Sequence, residues 1–192
     1  MSSKKLTGNK RIIHDSVVDL YNCIQKWKFL TSDCYSTVKS ICLIKQNSLH
    51  DEDQNEAEEP ISSFSELENL SCELLQKLKK LEAVAEKIRQ IPRKLKSVRE
   101  LSDLQQSTDE NFDLELSKLS IICETSTEIE QMYTKEFKMK SNIAKEICIL
   151  TKESQLTFFE AYWKYEPNID REIVDSYLKR MIFILELHSQ LS

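Results

Sequence analysis

The sequence predicts an all-α protein: an elongated antiparallel helical bundle, coiled-coil-like in its seams, with four to six helices. Three observations predict it. A single glycine, Gly8, occurs in 192 residues, where average usage of about 7% would give roughly a dozen. Only three prolines, Pro60, Pro92 and Pro167, interrupt the chain, each at or near a change of pattern. Apolar residues recur in alternating steps of three and four along long stretches, as on one face of a helix.

Residues 1–11 are polar and read as a flexible N-terminus. The first long helix covers 12–49. Its seam runs Ile13, Val17, Leu20, Ile24, Trp27, Thr31, Cys34, Val38, Ile41 and Lys45, eight of the ten apolar. Trp27 is expected in the core, on the face of Leu20 and Ile24. Thr31-Ser32-Asp33 marks the place for a break, because these residue types also cap helix starts. Residues 50–61 form an acidic linker, with six acids and no base in 51–59.

The second helix covers 62–106, with Ser63 and Glu66 spaced as a capping box and a kink at Pro92. Its seam from Phe64 to Ile88 holds seven apolar residues in eight. The stretch 77–100 is basic, nine Lys or Arg against Glu82, Glu86 and Glu100, and reads as a solvated face. No aromatic residue interleaves with these bases to stack on nucleotides, so no direct nucleic-acid binding is expected.

After a turn at Ser107-Thr108-Asp109 the third long helix completes 107–150. Its seam, from Phe112 to Ile147, has eight apolar residues in eleven, and a second row (Ile122, Ile129, Met132, Met139, Ile143 and Leu150) lies beside it. The region 151–192 holds short helices, the last starting after Pro167 with Asp170 as its cap. The broad apolar faces of the third and final helices exceed what one neighbour covers. They make Met132, Tyr133, Met139, Ile143, Trp163, Tyr177 and Met181 the expected partner-binding residues. Bundle completion within the chain is the alternative.

Composition excludes several chemistries. One glycine cannot build a P-loop, a dinucleotide fingerprint or a nucleophile elbow, each of which needs several close backbone approaches. The charge balance, 27 basic against 32 acidic residues or −5 net, offers no global attraction for a phosphate backbone. Six cysteines, at 23, 34, 42, 72, 123 and 148, form no C-x-x-C pair, so a zinc finger or ribbon is not expected. They read as small buried hydrophobes of a reduced, intracellular protein. The longest apolar run, Met181 to Leu185, is too short to span a membrane. His14, His50 and His188 are scattered, and the acid pairs at helical spacing read as solubilising. Neither an enzyme nor a cofactor is expected. No Ser or Thr precedes a proline, so proline-directed phosphorylation has no site. Arg93-Lys94-Leu95 resembles the start of a cyclin-docking segment, although Lys96-Ser97 follows where an apolar residue is wanted.

Three stretches together carry a resemblance. They are Lys26-Trp27-x-x-Leu30, reached through Asp15, Asp19 and Ile24; Met132-Tyr133-x-Lys135-Glu136-x-x-x-Lys140-x-x-x-Ala144-Lys145-Glu146; and Trp163 followed by Pro167 and Ile169. Glu66-Leu67-Glu68-x-Leu70 with Glu73-Leu74 adds a looser match. In this order, from about 12 to 185, the chain resembles the cyclin-dependent kinase 2-interacting protein family. It departs from the family pattern at Leu20, where the family has a tryptophan, at Asp33-Cys34-Tyr35, where it has a glycine, and over 96–111.

The resemblance implies a non-enzymatic nuclear adaptor, also cytoplasmic in part, that links cell-cycle kinases to DNA replication, repair and checkpoint signalling. It further implies an AAA-type ATPase assembly active in large-ribosomal-subunit maturation and replisome proteostasis, and a second small helical subunit as partner. Two other readings stay open: a structural coiled-coil subunit of a kinetochore or tethering complex, and a nucleic-acid binder using 77–100.

Overall fold

A computed structural model describes residues 8–52, 61–104 and 110–185, and every regular element among them is helical. The elements are α1 (Asn9–Glu52), α2 (Ile61–Leu104), α3 (Glu110–Glu146), a 3-10 turn at Ile147–Ile149, α4 (Glu153–Tyr165) and α5 (Arg171–Ile184). The all-α fold expected from the 3-4 spacing is the fold observed.

The packing divides into two compact units. Among the described residues the first combines 8–25, 86–104, 110–134 and 169–185; the second combines 26–52, 61–85 and 135–168. Each long helix therefore gives one part of its length to each unit. In the first unit the core gathers Leu20 and Ile24 of α1, Ile88 and Leu95 of α2, Ile122 and Ile129 of α3, and Val174 and Met181 of α5. In the second it gathers Trp27, Val38 and Ile41 of α1, Leu74 and Leu81 of α2, Ile143 of α3, and Leu156 and Trp163 of α4.

Cross-links in the second unit fix directions. Thr37 hydrogen-bonds Glu73 while Asp33 pairs with Lys77, so α1 and α2 run antiparallel. Tyr35 donates to Glu160, and Cys42 to the Leu156 carbonyl at 3.7 Å, so α4 also runs against α1.

Several local expectations need correction. α1 continues through Thr31-Ser32-Asp33 without a break. The Asp33 carboxylate is not free to cap a helix: it lies 2.8 Å from Lys77 Nζ, which also contacts Glu73 at 2.8 Å and donates to Thr37. Burial opposes the charge on Lys77, but the hydrogen bonds to Asp33 and Glu73 outweigh it and raise its pKa. Tertiary bonding thus overrides local capping preference.

α2 begins at Ile61, placing Ser62 and Ser63 inside its first turn and not ahead of it. Helix α1 reaches Glu52, inside the segment read as linker, and residues 53–60 lie outside the described residues, as does the turn at 107–109. α2 runs through Pro92, which is buried. Asp170 does cap α5, its Oδ1 accepting from the Ile173 N–H at 3.0 Å. Cys23, Cys34, Cys42 and Cys123 are buried as expected, but Cys72 is exposed on α2 and Cys148 partly so. No helix among the described residues is long and apolar enough to cross a membrane.

Candidate functional site

The second unit buries a cluster of charge. Lys140 projects from the α3 seam at a position where its neighbours are apolar, and its side chain is 0% exposed. An ammonium so placed needs opposite charge and acceptors, because desolvation without them costs several kcal/mol. Lys140 Nζ donates to the Trp163 carbonyl at 2.9 Å. It lies 3.4 Å from Glu136 Oε1 and 3.6 Å from Glu166 Oε1, and sits over the Trp163 ring at 4.6 Å. The two carboxylates are held in turn. Glu166 Oε1 accepts from the Trp27 indole N–H at 2.8 Å, and Glu136 Oε2 accepts from both the backbone and side-chain amides of Asn168 at 3.2 Å. The Asn168 amide also bonds the Tyr162 hydroxyl.

Glu166 closes α4 with φ +50°, a left-handed conformation that a side chain disfavours. Its N–H bonds back to the Tyr162 carbonyl at 3.1 Å. The carboxylate's bonds to Trp27 and Lys140 explain why a residue other than glycine stands there. Burial pushes Glu136 above the usual carboxylate range, against the pull of Lys140. Burial likewise pushes Lys140 below the usual lysine range, against the pull of Glu166 and Glu136. Two carboxylates and a lysine could in principle trade protons with a substrate. Here they are sealed: Glu136 is 0% and Glu166 3% exposed. Among the described residues no group of three or more His, Cys, Asp or Glu could hold a metal ion.

No family model matches the chain. It is similar to a cyclin-dependent kinase 2-interacting protein from Xenopus laevis, 24% identical over 176 residues that cover 88% of this chain and 85% of that protein.

The residues that carry the resemblance to the cyclin-dependent kinase 2-interacting protein family are largely interior. Trp27, Tyr133, Glu136, Lys140, Ala144, Trp163 and Ile169 are all buried, and four of them make or contact the charge cluster. This part of the shared pattern encodes packing. It also revises the expected partner surface. Tyr133, Ile143, Trp163 and Met181 are covered by their own chain and present nothing to a partner; bundle completion took them. Met132, Met139 and Tyr177 remain partly exposed, Tyr177 bonded to Glu128.

The sequence reading missed Glu166, and took the Glu136–Lys140 pair only as matched letters. One signal for the cluster was available: a lysine in register with a seam of apolar positions. Leu95 of the cyclin-docking-like Arg93-Lys94-Leu95 is fully buried, so that segment cannot dock as an exposed peptide.

Proposed function

We propose that this chain is a non-enzymatic adaptor that binds a cyclin-dependent kinase. The observation that carries the reading is the near full-length similarity to a protein named for that interaction. Two structural features support it. The cluster of Lys140, Glu136 and Glu166 is closed to substrate. The second unit also leaves Phe29, Phe158 and Tyr165 exposed at 73%, 55% and 68%, apolar area available to a partner. The finer reading joins the adaptor to a second small helical subunit and an AAA-type ATPase, in the nucleus, in ribosome maturation and replication.

The test is affinity purification of the tagged full chain at mild salt, with quantification of what is retained. A cyclin-dependent kinase recovered in stoichiometric amount, and lost with Phe158→Glu plus Tyr165→Glu in a chain that still folds, supports the reading. ATPase subunits recovered alongside support the finer one. A chain that purifies as a stable homodimer with no kinase rejects it in favour of a structural coiled-coil subunit.

A further inference from the structure

The first unit carries a groove of about 510 Å³ between α2 and α3, large enough to receive several side chains. Its α2 wall is Arg89, Arg93, Lys96 and Arg99. At steps of four, three and three these residues fall on one helix face and span about 15 Å. Its α3 wall carries Glu124, Glu128 and Glu130.

The two walls differ in how their polar groups are bonded. Each acid has a partner: Ser120 donates to Glu124, Tyr177 to Glu128, and Thr134 to Glu130, which also faces Arg89 at 3.9 Å. Arg89 is further tied to Glu86 at 2.6 Å. Arg93, Lys96 and Arg99 make no ion pair among the described residues, and Arg93 and Lys96 are exposed. With four bases against three acids in its lining, the groove keeps a positive excess, and Arg93, Lys96 and Arg99 stand in one row outside any ion pair among the described residues, so it favours an anion along its α2 wall.

We propose that this groove docks an acidic helix of a partner protein, one carrying carboxylates at i, i+3 and i+6, the spacing of Arg93, Lys96 and Arg99. The spacing of the free bases is itself helical, so a helix laid along α2 brings its acids into register with them. A nucleic-acid strand fits worse, because no aromatic side chain lines the groove to stack on a base. The proposal deepens the adaptor reading and rests on it for having a protein partner at all.

The experiment measures fluorescence anisotropy of a labelled alanine-rich peptide of about twenty residues, with glutamates on one stripe, titrated with the full chain. Saturable binding that weakens as salt rises is expected. Arg93→Glu with Arg99→Glu should weaken it at least about tenfold, while Lys79→Glu with Lys80→Glu, exposed elsewhere on α2, should leave it unchanged. A peptide with the same glutamates scattered around the helix should bind about tenfold more weakly. Circular dichroism and melting confirm that each variant folds, and Arg93→Ala with Lys96→Ala serves if charge reversal does not. Absence of saturable binding overturns the proposal, as does equal weakening by the Lys79 and Lys80 pair. So does tighter binding of a single-stranded oligonucleotide that the Arg93 and Arg99 pair abolishes. A chain that retains the kinase but ignores the peptide rejects the groove alone; one that binds the peptide but purifies without kinase rejects the adaptor reading alone.

Discussion

Lys140 shares its buried pocket with two carboxylates, so removing its ammonium leaves Glu136 and Glu166 facing each other without a counter-charge. Breaking a buried pair from one side costs about 3–5 kcal/mol, more than the apolar replacement returns. Lys140→Met is therefore expected to destabilise the chain by about that amount in urea unfolding. Glu136 obeys a different sign. Burial raises its folded pKa, so the folded chain keeps a proton that the unfolded chain has already released. Its contribution to stability is present below the ordinary carboxylate pKa and is lost as pH rises through the raised folded value. Glu136→Gln has no proton to lose. Urea midpoints of the two proteins, compared from acid to neutral pH, should show wild type losing ground to the variant as pH rises.

Helix α2 carries a proline in its interior, and such a residue removes one backbone hydrogen bond and crowds the preceding turn at a cost near 3 kcal/mol. Pro92 is buried, so Pro92→Ala also gives up packing. The net expectation is a gain of order 1 kcal/mol, read as a higher melting temperature. The long helices were legible because an apolar seam repeats many times over, and the Asp170 cap because its bond is local. The continuity of α1 at Thr31-Ser32-Asp33 was not, since it depends on Lys77, 44 residues away. The charge cluster went unread: Lys140 in register with an apolar seam was a signal passed over, and Glu166 joins it through a left-handed turn that no periodicity announces. The partner surface was misread at Tyr133, Ile143, Trp163 and Met181 because an apolar row does not say whether its cover comes from the same chain.

At the scale of the whole chain the six thiols report on packing. Burial raises Cys34 to about 11 and Cys42 to about 12 from an ordinary 9.0, so the folded chain holds these protons where the unfolded chain sheds them. Stability should fall as pH rises above about 9 through those values. In the native protein at neutral pH, thiol titration should find Cys72 reacting first and Cys148 next, with the four buried thiols reacting only after denaturant is added. α1, α2 and α3 each serve both compact units without interruption, and this constrains how the gene can change length. One residue inserted between Gln25 and Trp27 turns every later side chain of α1 by about 100°, so a helix in phase with one core falls out of phase with the other. Four residues leave an error of about 40° and seven about 20°. A library of in-frame insertions at this point, scored by soluble yield, should recover seven-residue inserts most often, four-residue inserts less often, and single-residue inserts least.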